Sequence, residues 1–236
     1  MSTVQIIRAE EQHPQPWRNG GGQTRELLVW PPVPGSLGGN ALCAGKGGAC
    51  AAGGGHGAER IATQTPTTTG AGIDWQLRVS RADIAASGPF SAFPGVQRWF
   101  VVLSGKGVVL HMPTADGHTR DHQLLPGHSP LHFDGGLAPG CTLLDGPTQD
   151  LNLMVRGGSA TVLAVEHAPN WICTFAMGGM YTAVAGTWSQ GPQSVELAAH
   201  TLVWCTAADA APMRFAPHHN QPAAAWWLGY TPEPTP

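Results

Sequence analysis

The chain has little charge. Only 11% of its 236 residues are Asp, Glu, Lys or Arg, and two are lysine, whereas soluble domains usually carry about 25% charged residues. With a formal net charge of -3 and no basic run, it lacks the footprint that a nucleic acid requires and the polybasic patch that an anionic membrane attracts. No stretch approaches the roughly 20 apolar residues needed to cross a bilayer, and no charged segment leads into an apolar run with a cleavage site. The expected location is the cytoplasm. Paired cysteines are also lacking: Cys43, Cys50, Cys141, Cys173 and Cys205 are odd in number, irregularly spaced and without a CxxC pair, so reduced thiols are expected. Cys141, Cys173 and Cys205 stand in apolar surroundings and read as small core hydrophobes. No Walker loop, dinucleotide fingerprint, GxSxG elbow or Ser-His-Asp order occurs. Small molecules or proteins remain as partners, and a homodimer stays open.

The pattern that is present is that of an all-β protein. Short runs of β-branched and aromatic residues recur between turn signals, as in Thr24–Trp30, Asp74–Ser80, Arg98–Leu103 and Gly107–His111. They resume past residue 150 with Ala160–Glu166, Trp171–Phe175, Tyr181–Ala185, Ser194–Leu197, Thr201–Thr206, Pro212–Phe215 and Ala224–Tyr230. Ser104-Gly105-Lys106-Gly107 supplies the conformations of a hairpin turn. Only Ala82–Ser87 offers a turn or two of helix. The chain therefore divides near residue 150 into two halves, 1–150 and 151–236, each with the strand count of a small barrel. Residues 35–72, rich in Gly, Ala and Thr, bury too little to offset roughly 1 to 2 kcal/mol of backbone entropy per ordered residue. They read as a flexible surface insertion, which carries Cys43, Cys50 and His56.

Site chemistry concentrates near the start. Pro16-Trp17-Arg18-Asn19-Gly20-Gly21-Gly22-Gln23-Thr24-Arg25, followed by Glu26, joins an aromatic, two arginines, an amide and three glycines. Glycines let backbone N–H groups approach a ligand, and a guanidinium fork grips a carboxylate bidentately. An anion clasp and a plain glycine-rich turn between edge strands both fit this segment. In Asp74–Ser80, alternation places Gln76, Arg78 and Ser80 on one strand face and Trp75, Leu77 and Val79 on the other. In Asp150–Arg156 it places Asp150, Asn152, Met154 and Arg156 opposite Leu151, Leu153 and Val155. Asn152 would present an amide to a ligand, or Asp150 would orient Arg25 or Arg156.

Several of these segments together resemble the HutD/Ves family: PWRNGGGQTRE at 16–26, DWQLRVSRADIAASGPFSAFPGVQRWFVVLSGKG at 74–107, and DLNLMVRGG at 150–158. The hairpin RWFVVLSGKGVVL at 98–110 and the Pro126-Gly127 turn are similar to those of a cupin barrel. The resemblance implies a bicupin, two degenerate cupin-like β-barrels or sandwiches packed together, and an association with histidine utilisation as a regulator or accessory that binds an intermediate such as formylglutamate. Metal-binding cupins carry an HxH pair and a Glu before the strand that here holds Trp99–Leu103. This chain has Phe90–Gln97 and then Arg98 there, and no His from Asp134 to Leu144, which favours an anion over a cation. The cluster His111, His118, His122, His128 and His132 is the alternative metal reading, but no fitting carboxylate accompanies it. No metal and no cofactor are therefore expected. The residues expected to bind a small anionic metabolite are Trp17, Asn19, Gly21, Thr24, Arg25, Arg78, Arg98 and Asn152. The alternative is a cupin-type isomerase or hydrolase with Glu26 or a pocket His as general base.

Overall fold

The structure is a computed structural model that describes residues 3–31, 75–206, 211–218 and 224–234. The insertion expected at 35–72 lies outside them. The described residues form an all-β fold with three single-turn 3-10 helices.

Four sheets stack in layers. The six-stranded sheet has the spatial order Pro14–Pro16, Gly22–Trp30, Leu77–Ile84, Thr148–Val155, Gln97–Ser104 and Leu131–Asp134. One of its faces meets a four-stranded sheet of Gly88–Pro89, Gly140–Leu143, Val108–Pro113 and Thr119–Leu124, through a core that includes Ile84, Phe100, Leu110 and Phe133. Its other face meets a five-stranded sheet ordered Val4–Arg8, Thr201–Cys205, Met177–Thr182, Ala225–Thr231 and Ser159–Ala164. Leu77, Val79, Leu151 and Leu153 pack there with Tyr181, Trp204, Leu228 and Tyr230. A three-stranded sheet of Gln193–Leu197, Gly186–Gln190 and Met213–Pro217 closes the stack over Trp188, Met180 and Trp227. Side chains of this size stabilise by about 1.5 to 3 kcal/mol each when fully buried, so the core between the two large sheets is a main source of cohesion.

The strand Val4–Arg8 pairs with Thr201–Cys205, far along the chain. The sheets do not close into continuous barrels. Among the described residues, Val4–Arg8 and Gln193–Leu197 each pair along one side only.

Local sequence explains most of this. Apolar residues at alternate positions of Leu77–Val79 and Leu151–Val155 enter the core between the large sheets, as a half-buried strand requires. A register shift between Glu26 and Leu28 inserts one residue, and both Leu27 and Leu28 then reach that core. The chain turns at Ser104–Gly107, but the hairpin expected there does not form: Gln97–Ser104 pairs within the six-stranded sheet and Val108–Pro113 within the four-stranded one, so the turn carries the chain from one layer to the other. Gly107 has φ +96°, and a Cβ there would lie 2.2 Å from the Leu124 carbonyl oxygen.

Two further expectations fail. Ala82–Ile84 continues a strand and is not helical, because Ala82 and Ile84 are buried and sheet packing overrides a weak helical propensity. Trp171–Phe175 is not a strand and makes only one bridge, Trp171 to Met213. Trp171 stacks on Trp227 at 5.5 Å, and the Cys173 thiol turns back to the Phe175 carbonyl.

Candidate anion-binding site

Paired residues of an antiparallel sheet share a face. Arg78 and Arg98 both pair with Met154, Ser80 and Phe100 both pair with Asn152, and Glu26 pairs with Ser80. Glu26, Arg78, Ser80, Arg98, Asp150 and Asn152 therefore stand together on the face of the six-stranded sheet that looks toward the four-stranded one. Of the eight residues expected to bind a ligand, the fold brings Thr24, Arg78, Arg98 and Asn152 to this face.

Arg98 is the centre of the group. It is 8% exposed, and its guanidinium lies 4.4 Å from the centroid of the Phe90 ring, 5.6 Å from that of Phe133 and 5.8 Å from that of Phe100. Its Nε donates to Oδ1 of Asn152 at 2.7 Å, and the Asn152 amide donates in turn to Asp150. Among the described residues, the two terminal nitrogens of Arg98 form no hydrogen bond and no ion pair, yet neither is sealed inside the protein. A half-engaged guanidinium of this kind offers two parallel N–H groups to a planar anion.

Burial lowers the Arg98 pKa to about 10; Asp150 opposes the shift and Arg78 adds to it. Arg98 thus stays charged at neutral pH. Burial pushes Asp150 up to about 7 against the opposing effects of Arg98 and the Asn152 hydrogen bond. Burial also pushes the Cys141 thiol up to about 12, so it is no nucleophile at neutral pH. Arg78 donates from Nε to Glu26 at 2.9 Å and touches the Met154 sulfur. Arg78 and Arg98 flank Met154, a spacing suited to two anionic groups on one small molecule.

Trp17 borders the cluster. Its indole N–H donates to the Thr24 hydroxyl at 2.8 Å, and its ring meets Phe90 edge-on at 6.4 Å. Asn19 and Gly21 are engaged in building the turn: the Gly21 N–H donates to the Asn19 side chain at 3.0 Å, and the Gly21 carbonyl accepts from Ala85 and Ala86. Gly22 must be small, since a Cβ would meet the Asp83 carbonyl oxygen at 2.3 Å. The glycine-rich segment is thus a tight turn between two strands, and its Gly21 N–H already has a partner.

Arg25 is not brought to the cluster. It pairs with Arg81 on the opposite face of the sheet and donates to the Gln12 carbonyl oxygen. The cause is simple alternation, which separates it from Thr24 and Glu26. Arg81, 5% exposed, is held by Glu10 at 2.6 Å and Asp83 at 3.0 Å. Asp150 supports Arg98 through Asn152, whereas Arg25 lies on the opposite face of the sheet.

Two features of the fold were not among the expected site residues: the box of Phe90, Phe100 and Phe133 around Arg98, and the buried Arg81. The Arg98-Trp99-Phe100 alternation carried the first signal, and an arginine on the Leu77–Val79 face carried the second. Among the described residues, no group of three or more His, Cys, Asp or Glu is placed to hold a metal. His111 is bonded to Asp121 and Thr142. No described helix is long and apolar enough to cross a membrane.

Comparison with known proteins agrees with this architecture. Protein Ves from Citrobacter koseri is 31% identical over 177 residues, covering 74% of this chain and 70% of that protein. An uncharacterised 21.2 kDa protein in the hutC 3′ region of Pseudomonas putida is 31% identical over 155 residues, covering 65% of this chain and 59% of that one. Among solved structures, HutD from Pseudomonas fluorescens SBW25, in a formate condition, superposes with a TM-score of 0.67 at 21% identity, over 97% of this chain and 98% of that one. A Bacillus subtilis oxalate decarboxylase variant superposes with a TM-score of 0.57 at 7% identity, over 98% of this chain and 78% of that one, a likeness of fold to cupin-type proteins. The HutD family model matches residues 52–222, and by that match the chain belongs to the HutD family.

Proposed function

We propose that the face carrying Arg78 and Arg98 binds a small dicarboxylate, and that the protein acts as a cytoplasmic accessory or regulator of histidine utilisation. The observation that carries this reading is Arg98: a buried guanidinium, oriented by Asn152 and enclosed by Phe90, Phe100 and Phe133, with no ion pair among the described residues. Buried charge is costly without a partner, and an anionic ligand would supply one. Arg78 would take the second carboxylate. Formylglutamate has this chemistry, and the relative in the hutC 3′ region makes a histidine-breakdown intermediate the first ligand to test. The six- and four-stranded sheets would then be one degenerate cupin-like half, holding the ligand, and the five- and three-stranded sheets the other; the boundary near residue 150 would shift past Val155, and Val4–Arg8 would cross over to complete the second half. No metal or cofactor enters this reading. Glu26 is tied to Arg78 as an ion pair, an arrangement suited to orienting the arginine more than to attacking a substrate.

Calorimetry tests the reading. Formylglutamate should bind the full chain more tightly than its monoamide, formylglutamine. Arg98→Met should weaken the diacid from tenfold to more than a hundredfold, since charge-assisted hydrogen bonds contribute about 1.5 to 3 kcal/mol each. Lysine at position 98 should restore part of the affinity, because it lacks the planar fork. Equal affinity for diacid and monoamide, or indifference to Arg98, removes the support for this function. Turnover of either compound in the same samples would instead favour a cupin-type enzyme.

A further inference from the structure

Charge on the ligand face cancels before any anion arrives. Arg78 is neutralised by Glu26 at 2.9 Å, and Arg98 and Asp150 supply one charge of each sign, joined through Asn152. Thr24, Ser80 and Asn152 add none. With Asp150 ionised the face has no net charge, a poor setting for a dianion. With Asp150 protonated the charge of Arg98 is left unopposed.

The surroundings of Asp150 suit it to that exchange. It is 1% exposed, and among the described residues it touches no cation: its partner is the neutral Asn152 amide. A buried carboxylate without a contacting cation holds its charge at a cost. The Asn152 amide can donate to one carboxyl oxygen whether or not the other carries a proton, so the contact that aims Arg98 survives protonation and only the charge changes. Burial already raises the Asp150 pKa to about 7 against the opposing effect of Arg98. An anion on Arg98 offsets that opposition and adds a repulsion of its own.

The other ionisable groups around Asp150 do not take over this role. Glu26 and Arg78, from the strands on one side, are paired with each other. Cys141, from the facing sheet, is a thiol that burial pushes up to about 12. Arg120 and His122 stand on the same side of that sheet, opposite Met112 and Leu110. Behind Asp150, on the other face of its own sheet, Asp83 and Arg81 act on it in opposite senses, and burial raises the pKa of Tyr181 on the five-stranded sheet.

We propose that this site takes up a proton from solvent together with its dicarboxylate, Asp150 being the group that accepts it, so that affinity falls as pH rises through neutrality. The inference rests on the dicarboxylate reading above and adds its regulation by pH.

Formylglutamate is the probe, because its own carboxylates stay ionised above about pH 6. In calorimetric titrations of the full chain, its affinity should fall about tenfold between about pH 6 and about pH 8.5. Near neutrality the heat of binding should differ between Bis-Tris and Tris, cationic buffers of unlike protonation enthalpy, by an uptake of roughly half a proton per ligand. Asp150→Asn keeps an acceptor for Asn152 without the charge. It should bind at the higher pH as tightly as the unmodified protein does at the lower one, with no proton uptake, whereas His122→Gln should keep the full uptake. In the unmodified protein, isotopically labelled at its Asp carboxyl carbons, one NMR resonance should titrate near neutrality in the free chain and at higher pH with ligand bound. That measurement keeps the test decisive if Asp150→Asn does not fold. Binding without pH dependence or proton uptake, uptake that persists in Asp150→Asn, or uptake that disappears in His122→Gln would overturn the inference and leave the dicarboxylate site standing. Absence of formylglutamate binding throughout this pH range would overturn both.

Discussion

Arg25 and Arg81 stand directly opposite each other on neighbouring strands, and the buried Nε–H of each has no acceptor among the described residues. Like charges placed across a strand pair repel. Arg81 is held in place by Glu10 and Asp83, whereas Arg25 donates to a neutral carbonyl oxygen, that of Gln12. The two arginines should therefore differ under substitution. Arg25→Met should change unfolding stability by less than about 1 kcal/mol, because relief of repulsion offsets the lost hydrogen bond. Arg81→Met should cost about 2 kcal/mol, since it leaves Asp83 partly buried without its cation. Urea unfolding of both variants measures this, and in neither should formylglutamate affinity change more than about twofold.

Arg98 should show the reverse balance. It occupies a core of rings without a carboxylate in contact, so an apolar side chain of similar length fits its place. Replacement of a buried charge by a packed apolar group is often neutral or stabilising. Arg98→Met should accordingly retain the melting temperature or raise it by a few degrees while binding collapses. A loss of more than about 3 kcal/mol on unfolding would make Arg98 a structural residue.

Asp150 supplies a pH dependence. Burial raises its pKa from 3.8 to about 7, so between those values the folded chain holds a proton that the unfolded chain releases. Its contribution to stability is complete below about pH 4 and is lost as pH rises through 7. The stability of the unmodified protein relative to Asp150→Asn should fall steadily over that window in denaturant titrations. Asp83, whose pKa is lowered by hydrogen bonds and by Arg81 against the opposing effect of burial, and His132 and His200, whose pKa values burial lowers, act in the opposite sense as the pH falls. Taking the difference between the two proteins removes them. A difference that stays flat from pH 4 to 7 would contradict the raised Asp150 pKa.

Two glycine turns provide a steric control. Gly107 and Gly117 both have positive φ, but a Cβ meets the Leu124 carbonyl oxygen at 2.2 Å in the first and nothing within 4 Å in the second. Gly117→Ala should cost about 1 kcal/mol, for the backbone conformation alone. Gly107→Ala adds a clash with backbone and should cost about 2 to 4 kcal/mol by thermal unfolding.

The all-β class was readable from alternation, and so were the faces of Leu77–Ser80 and Asp150–Val155, because one side of each strand had to be apolar. What alternation within one strand leaves open is which strands become neighbours. Arg78, Arg98 and Asn152 meet only because Thr148–Val155 lies between Leu77–Ile84 and Gln97–Ser104, a pairing decided by tertiary packing. Arg25 was grouped with them by proximity in the sequence, although period-2 geometry already sends it away from Thr24 and Glu26. The ring box around Arg98 draws Phe90 and Phe133 from two further segments, and nothing local announces their convergence. Short strands such as Gly140–Leu143 lack the β-branched runs that betrayed the others.

The pairing of Val4–Arg8 with Thr201–Cys205 sets the order in which this protein can be completed during synthesis. The first strand leaves the ribosome early but has no sheet to join until residues near Cys205 follow it out. Until then Ile7, buried in the finished fold, remains exposed. Contacts so distant in sequence slow folding, and they delay this edge until Thr201–Cys205 has been made.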